Sequence, residues 1–413
     1  MTPNRSSFFI FISYTFFMNK NITNLHQIAS KNKRSIIGLM SGTSLDGLDI
    51  AFCDIEGFGT NTKIEIKQFE TVSYESSFKE KIKEIFSKHE VDLEKVCLLN
   101  AYVGVQHAGM INTCLQKWNI KKEAVDIIAS HGQTIYHAPK ILHNIEVYGN
   151  ATLQIGDGDH IAVKTGIITV SDFRQKHIAA GGEGAPLAVY GDYLIFSKAG
   201  ENRIMLNMGG IANFTFLDGD LDASKMFSTD VGPGNTLMDA VVQKHYPGKY
   251  FDEDATIALL GTINENLLSA LKENDFFAKE FPKTTGPELF NLAYLQQAQE
   301  RSNTTTLTVY DIMATLAKFS ADTISEAIMR SMGEKSFVIY SSGGGMHNPL
   351  LMGHLKKQMR NATFKTTNDL NINPDAKEAV LFAILANEAL CGGETNFGNG
   401  VPSVSMGKVS FPF

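Results

Sequence analysis

The stretch Gly38-Leu-Met-Ser-Gly-Thr-Ser-Leu-Asp-Gly-Leu-Asp49 decides how this chain folds. Apolar runs at 35–37 and 48–53 flank a turn of small residues, whose backbone N–H groups are free to point at an anion. The hydroxyls of Thr43 and Ser44 add donors, and Asp46 can hold a phosphate-bound Mg²⁺. Since no Gly-Lys-Ser/Thr ends the loop, it is not a Walker A motif. It predicts a hairpin whose two strands grip a nucleotide tail.

Further glycine-rich segments follow apolar or β-branched runs, and the first of them is expected at the carboxyl end of a buried strand at 125–129. They are Ser130-His-Gly-Gln-Thr134, Asn207-Met-Gly-Gly-Ile-Ala-Asn213, Asp230-Val-Gly-Pro-Gly-Asn235 and Ser341-Ser-Gly-Gly-Gly345. One such turn is weak evidence, because most glycines only supply positive φ in loops. The ordered set resembles the phosphate, connecting and adenosine segments of the sugar kinase, Hsp70 and actin superfamily. That resemblance implies an α/β fold of two actin/hexokinase-like (ribonuclease H-like) domains flanking a nucleotide cleft.

Longer motifs narrow the resemblance to the 1,6-anhydro-N-acetylmuramic acid kinase family. From about residue 36 onward, in family order, these motifs are Gly38 to Asp49, Ser130 to Thr134, Leu153-Gln-Ile-Gly156, Asp172-Phe-Arg174, Gly181-Gly-Glu-Gly-Ala-Pro-Leu187, Asp230 to Asn235 and Pro282-Lys-Thr-Thr-Gly286. The family is implied to open the anhydro ring with water while the ATP γ-phosphate passes to O6. The product would be N-acetylmuramic acid 6-phosphate, formed in cell-wall recycling with ATP and Mg²⁺.

The composition sets limits on the class of protein. The chain has 413 residues, which favours two or more domains, and a net charge of −7, which argues against non-specific nucleic-acid binding. Its four cysteines are scattered and predict reduced thiols rather than a disulfide framework. The apolar run at 8–17 is too short to span a bilayer. We interpret it as a segment upstream of a true start at Met18, with a signal segment as the alternative.

The motifs also predict how the chain is divided. Residues 1–34 form an N-terminal extension, disordered or mis-started. Residues 35–176 form a first domain with the first phosphate hairpin, and the segment from about 379–413 returns to it. Residues 177–378 form a second domain with the second hairpin and the adenosine motif. Helices are expected at 235–245, 309–332 and 377–390, with Asn235 as the N-cap of the first.

The nucleotide-binding prediction combines both hairpins with the later glycine motifs. It comprises Gly42, Thr43, Ser44, Leu45, Asp46, Gly47, Leu48, Asp49, Gly209, Gly210, Asn213, Gly232, Gly234, Asn235, Ser342, Gly343, Gly344 and Gly345. Phosphoryl transfer depends mostly on positioning and on charge neutralisation, which such loops supply. The metal ligand among them is Asp46.

The catalytic prediction rests on carboxylates. The resemblance makes Asp230 the general base, since water attacking an anomeric carbon must lose a proton. The competing interpretation is that Asp230 only braces its turn through an Asx hydrogen bond. Glu378 either orients the water or the Mg²⁺ shell, or merely favours the helix dipole at the start of its helix.

The predicted sugar-binding residues are His131, Gln133, Arg174, His177 and Lys283. Three departures from the family pattern lie near them: His177 replaces an aspartate, Glu183 replaces a glutamine and Pro287 replaces an arginine. These departures leave open a paralogue that acts on another anhydro or amino sugar. A second alternative is a nucleotide-gated, chaperone-like ATPase. We further expect a cytoplasmic protein without nucleic-acid or membrane partners, and the resemblance suggests a homodimer.

Overall fold

The computed structural model describes residues 18–42, 45–185, 187–370, 372–392, 396–398 and 402–413. The apolar run at 8–17 and the turn residues Thr43 and Ser44 lie outside the described residues, so the predictions made for them have no structural account. In the described part of the chain, no helix is both long and apolar enough to cross a membrane.

Strands and helices follow one another along the described chain, in places as runs of several strands or several helices. The strands are β1 Lys33–Ser41, β2 Gly47–Glu56, β3 Lys63–Ser73, β4 Ile127–Ala138, β5 Ala151–Ile155, β6 Thr169–Ser171, β7 Arg203–Met208, β8 Ile211–Leu217, β9 Phe227–Pro233, β10 Phe337–Ser342, β11 Ala362–Thr366 and β12 Lys408–Ser410. The helices are α1 Lys20–Ala29, α2 Ser76–Lys83, α3 Leu93–Lys117, α4 Lys140–His143, α5 Gly158–Thr165, α6 Phe173–Ala179, α7 Ala188–Phe196, α8 Thr236–His245, α9 Glu265–Lys272, α10 Leu292–Arg301, α11 Val309–Met332, α12 Pro349–Gln358 and α13 Lys377–Cys391.

The described strands form two sheets that share one strand order. The first sheet runs β12-β6-β4-β1-β2-β3, with β5 paired to β4, and the second runs β11-β10-β7-β8-β9. In each sheet, three consecutive antiparallel strands form one side, and two later strands add parallel beside the first of them. This repeated ribonuclease H-like topology confirms the predicted fold class.

Helices cover both faces of each sheet. The first sheet packs α2, α3 and α5 on one face, and the second packs α11 and α12 on one of its faces, with α8, α9 and α10 packed around α11. A third core joins the remaining faces through α7 and α13. Strands buried on both faces lose the polar alternation of a half-exposed strand, which explains the nearly continuous burial of β1 and β7.

Helix α13 lies unusually close to the first sheet. A Cβ atom at Gly38 would lie 1.9 Å from the carbonyl oxygen of Ala379 and 3.1 Å from the Cβ of Ala383. The small residues that the sequence places on this helix therefore allow backbone-to-backbone contact. The chain then ends in β12, which pairs with β6 at the edge of the first sheet.

The local predictions are mostly confirmed, with two corrections. The three expected helices are present as α8, α11 and α13, each within one residue of its predicted ends. Asn235 stands at the N-cap of α8, but its side chain makes no capping bond and instead donates to the carbonyl oxygen of Met208. The motif at 130–134 does not end its strand, because β4 continues through it and then pairs with β5.

Candidate functional site

The first predicted hairpin turn joins β1 to β2. At its start, the N–H of Leu45 donates to the carbonyl oxygen of Gly42 over 3.3 Å, and Leu45 has a φ of 58°. At its end, the N–H of Tyr74 donates to the carbonyl oxygen of Asp46 over 3.1 Å. The Asp46 side chain is exposed, whereas Leu45 and Leu48 lie in the core. The leucines therefore offer only backbone groups to a nucleotide.

The second turn joins β7 to β8 and is held by backbone bonds. Asn235 N–H donates to the Gly209 carbonyl over 2.9 Å, and Gly234 N–H donates to the Gly210 carbonyl over 2.8 Å. A Cβ atom at Gly234 would lie 2.3 Å from the Gly209 oxygen. The absence of a side chain at Gly234 is therefore what lets the turn and the start of α8 touch.

A row of polar side chains crosses four strands of the second sheet. Ser342 is the register partner of Asn207, Asn207 of Asn213, and Asn213 of Asp230. Directly opposed residues share one face of a sheet, so the row runs from the adenosine motif to the predicted base. Asn207 was missed among the predicted site residues, although it opens the glycine-rich segment at 207–213.

The adenosine motif packs against the second turn. Gly343 has a φ of 81°, and a Cβ atom there would lie 2.8 Å from the carbonyl oxygen of Met208. A Cβ atom at Gly345 would lie 2.7 Å from the Cβ of Met208, whereas Gly344 has no neighbour closer than 3.6 Å. Gly343 and Gly345 therefore serve close packing, and Gly344 has free space around it.

Asp230 is half-buried and held by the segment at 283–285. Its N–H donates to the carbonyl oxygen of Lys283 over 2.9 Å, and its Oδ2 accepts from the N–H of Thr285 over 2.9 Å. Burial raises the pKa of Asp230, and the charge of Glu288 raises it further. The next glycine, Gly232, adopts a φ of 144°. The carboxylate is thus fixed in place and more basic than an exposed aspartate.

Lys283 is buried beside the base, and its amine points away from it. The amine donates to the carbonyl oxygens of Phe276 over 2.9 Å and Phe277 over 3.1 Å, and lies 4.4 Å from the centre of the Phe276 ring. Burial lowers the pKa of Lys283 to about 8, with help from the nearby charge of Arg330. In this conformation, Lys283 holds the loop that carries Thr285.

On the first sheet, Arg174 connects two of the predicted sugar-binding histidines. Its Nε donates to Nε2 of His131 over 2.8 Å, and its guanidinium nitrogen Nη1 donates to the carbonyl oxygen of Gly184 over 2.6 Å. The N–H of Gly184 donates in turn to Nδ1 of His177 over 2.9 Å. Burial lowers the pKa of His131 to about 3, and the charge of Arg174 contributes. Both imidazoles therefore act here as neutral acceptors.

Gln133 is fully buried. Its amide nitrogen donates to the carbonyl oxygens of Gly42 and Thr134, and its amide oxygen accepts from the hydroxyl of Ser41. The amide is thus engaged inside the protein, next to the first turn. Gln133 therefore lies inside the protein against the first turn, where it contacts the predicted nucleotide residue Gly42.

Glu378 lies near enough to Asp49 for the charge of Asp49 to affect the pKa of Glu378. Burial raises the pKa of Glu378, and the charge of Asp49 raises it further. Burial also raises the pKa of Asp49, whose Oδ1 accepts from the hydroxyl of Thr71 over 2.6 Å. The charges of Lys377 and Arg174 partly offset the rise in the pKa of Glu378. Glu378 therefore lies close to Asp49 of the first hairpin and to Arg174.

The candidate site fits a Mg²⁺ ion whose ligands come mostly from the phosphates of a bound nucleotide. Nowhere in the described ranges do three or more His, Cys, Asp or Glu side chains converge as a self-sufficient metal site. Mg²⁺ at nucleotide sites usually takes one or two carboxylates and completes its shell with phosphate oxygens and water. The exposed carboxylate of Asp46 on the first turn meets that smaller requirement.

Comparisons with known proteins cover most of the chain. The model of the anhydro-N-acetylmuramic acid kinase family matches residues 34–405. An anhydro-N-acetylmuramic acid kinase of Pseudoalteromonas atlantica is 59% identical over 400 residues, covering 96% of this chain and 100% of the relative. Those of Pseudoalteromonas translucida and Caldanaerobacter subterraneus are 55% and 37% identical, covering 95% and 94% of this chain and 100% and 99% of the relatives. The chain therefore belongs to the anhydro-N-acetylmuramic acid kinase family and is a sugar kinase.

Proposed function

We propose that the protein converts 1,6-anhydro-N-acetylmuramic acid, ATP and water to N-acetylmuramic acid 6-phosphate and ADP. Family membership supports the substrate. The observation that carries the mechanism is the half-buried carboxylate of Asp230, which burial makes more basic and which the N–H of Thr285 holds in place. A fixed, basic carboxylate beside glycine-rich turns suits a reaction that couples water attack to phosphoryl transfer.

In the proposed reaction, two bonds between heavy atoms form and two break. The oxygen of water bonds to C1 of the sugar as the C1–O6 bond breaks, and the water proton goes to Asp230. O6 bonds to the γ-phosphorus as the bond from that phosphorus to the β-phosphate oxygen breaks, which releases ADP. Because phosphorus captures O6, the leaving oxygen needs no separate acid.

The nucleotide would lie along the two turns and the polar row. The described backbone of 42 and 45–47 and the glycines at 209–210 and 343–345 would contact ATP, with Thr43 and Ser44 as further donors. Asn213, Asn235 and Ser342 would orient it. Asp46 would hold Mg²⁺, which when bound neutralises phosphate charge. Asn207 joins this set because it lies between Ser342 and Asn213 in the row.

The sugar would lie near Arg174, Glu378 and Asp230. His131 and His177 would support that wall through their bonds to Arg174 and Gly184, and Lys283 would support it by holding the loop at 276–285. Glu378 would assist in orienting the water. His177 offers an acceptor to Gly184, as the family's aspartate could, so this departure does not by itself require another sugar.

The same proposal includes the division of the chain. A first domain of 35–176 is joined by about 379–413, and a second domain comprises 177–378. The pairing of β12 with β6 supports the return of the C-terminal segment. A homodimer and a cytoplasmic location are the remaining parts of the proposal, and both rest on the resemblance.

Asp230→Asn tests the function. It keeps the size and an acceptor for Thr285 but removes the proton acceptor, so we expect kcat to fall by about 10²–10⁴-fold with nucleotide binding retained. The matched control is Asp220→Asn, an exposed carboxylate whose side chain is 83% accessible. In the unmodified protein, heavy-oxygen water should label the product at C1. Near-normal kcat in Asp230→Asn, or ATP turnover without sugar, would contradict the proposal.

A further inference from the structure

A chain of buried hydrogen bonds runs from the middle of α3 to the first turn. Nε2 of His107 lies 2.9 Å from the Tyr74 hydroxyl, which lies 2.6 Å from the Ser41 hydroxyl. The Ser41 hydroxyl lies 2.5 Å from Oε1 of Gln133. All four side chains are at most 4% exposed. None of these bonds follows from neighbouring positions in the sequence, since the linked residues lie on α3, β1, β4 and the segment after β3.

The orientation of the Gln133 amide determines which group donates in every bond of this hydrogen-bond chain. The Gln133 amide faces the carbonyl oxygens of Gly42 and Thr134, over 3.3 and 3.1 Å, and carbonyls only accept. Its nitrogen must therefore face them, which leaves its oxygen to face Ser41. Ser41 has a single hydroxyl proton and must give it to Gln133, so the Tyr74 hydroxyl must donate to Ser41.

The state of His107 follows from the same argument. The Tyr74 hydroxyl has used its only proton, so Nε2 of His107 must carry a proton and donate it to Tyr74. In the neutral imidazole, Nδ1 is then a bare acceptor, and it has no partner among the described residues. Burial lowers the pKa of His107 to about 4, which agrees with a neutral ring.

The chain ends on the backbone of the turn. The Gly42 carbonyl accepts both from Gln133 and from the N–H of Leu45, and Ser41 directly precedes Gly42. Tyr74 also holds the other end of the turn, because its N–H donates to the Asp46 carbonyl. One tyrosine thus contacts the turn at both ends, through its hydroxyl and through its backbone.

We propose that Tyr74 and His107 are positioning residues of the first turn: His107 donates through Tyr74 and Ser41 to Gln133, and this one-directional chain holds the turn in the shape that binds ATP. The proposal rests on the proposed function of this turn in nucleotide binding. Neither residue contacts the nucleotide. Their effect is expected on ATP affinity and on kcat, and not on the affinity for the sugar.

Tyr74→Phe removes the hydroxyl that links His107 to Ser41. We expect the Kd of a non-hydrolysable ATP analogue, measured by calorimetry, to rise about 10-fold, because a buried hydrogen bond is worth roughly a factor of 10 in an equilibrium constant. The sugar Kd should stay within about twofold. Tyr136→Phe is the matched control, since Tyr136 makes an exposed 2.9 Å bond to Nδ1 of His89 and takes no part in the chain. Equal analogue affinity in the two variants would overturn the proposal.

A pair of variants at His107 separates positioning from packing. The Gln side chain in His107→Gln can place an N–H donor near the position of Nε2, whereas His107→Leu fills space without donating. We expect His107→Gln to keep analogue affinity near that of the unmodified protein and His107→Leu to lose it as Tyr74→Phe does. A purely structural residue would lower Tm in both variants and leave the analogue affinity of the folded protein unchanged, which would contradict the proposal.

The proton on His107 provides a test that needs no activity. Nitrogen-15 NMR of the side chain at neutral pH should show protonated Nε2 and unprotonated Nδ1. Protonated Nδ1 would contradict the direction of the chain, whatever the substrate. If the unmodified protein shows this tautomer and binds the ATP analogue but phosphorylates no anhydro sugar, the proposed function fails and the positioning role remains.

Discussion

The two hairpin turns have the same place in their sheets but are held by different means. The β1–β2 turn is held by buried side chains as well as by backbone bonds, through Gln133 and the hydrogen-bond chain that reaches His107. The β7–β8 turn is held by backbone bonds from 234–236 and by the contact of Gly234 with Gly209. Two turns at equivalent places in the same topology can therefore be held by different sets of hydrogen bonds and contacts.

This difference predicts different sensitivities to mutation. A turn held through side chains can lose one bond at a time, so single substitutions should produce graded losses. A turn held mainly by backbone contacts offers few side-chain hydrogen bonds that a substitution could remove. It is more sensitive to substitutions that add a side chain at a glycine. Added atoms must displace the backbone, because tightly packed interiors offer little room for relaxation.

Of the two turns, the second is expected to show the larger effect. Gly234→Ala places a Cβ atom about where it meets the Gly209 oxygen, at 2.3 Å, so the turn and the start of α8 must separate. We expect a loss of stability of about 1–3 kcal/mol and more than a tenfold loss in affinity for an ATP analogue. Gly353→Ala is the control, since nothing lies within 4 Å of its Cβ position. Thermal unfolding and calorimetry would show both effects, and normal ATP affinity would contradict the comparison.

A smaller effect is expected at the first turn. Asp46→Ala removes an exposed carboxylate but keeps the backbone carbonyl that accepts from Tyr74. The turn should keep its shape and lose charge, so the Mg²⁺ and ATP concentrations for half-maximal rate should rise about 10-fold. The sugar Kd without nucleotide should not change. Collapse of sugar binding with normal ATP affinity would show that this turn is not a phosphate loop.

His177 tests whether a side-chain acceptor also holds the segment at 182–184. His177→Ala removes the acceptor for the Gly184 N–H, and we expect the KM for the sugar to rise by about 2- to 10-fold with the KM for ATP unchanged. His177→Asp supplies another acceptor and should lose less. Steady-state kinetics of both variants would check this order, and identical sugar kinetics in all three proteins would contradict it.

The smallest effect concerns stability and the charge of Asp230. Its pKa is raised on folding, chiefly by burial, so its contribution to stability is present below the unfolded pKa and is lost as the pH rises through the folded pKa. Asp230→Asn removes that charge and should raise Tm slightly at neutral pH, although it removes activity. The gain should vanish at acidic pH, where both side chains are neutral. A lower Tm at neutral pH would show that the carboxylate stabilises the fold.

Much of the architecture could be predicted from local patterns. Apolar runs interrupted by glycine turns indicated both hairpins, because these signals depend on near neighbours. Helices α8, α11 and α13 lie within one residue of the predicted ends. The prediction at 130–134 was less accurate. The segment is expected to end its strand, but β4 continues through Gly132, whose φ is 74°, and gains a new partner in β5.

The sequence by itself determined the fold class, the family and the motifs that carry the predicted site, because turn chemistry and hydrophobic period are written in short stretches of chain. Only the tertiary structure decided which side chains those motifs leave free. His131, Gln133 and Lys283 have the chemistry of sugar-binding groups, yet their polar atoms bond inside the protein. Likewise, His107 and Tyr74 reach the first turn only after α3 and β3 pack beside it. A hydrogen bond between distant residues depends on the packing of whole elements, and no local pattern contains that information.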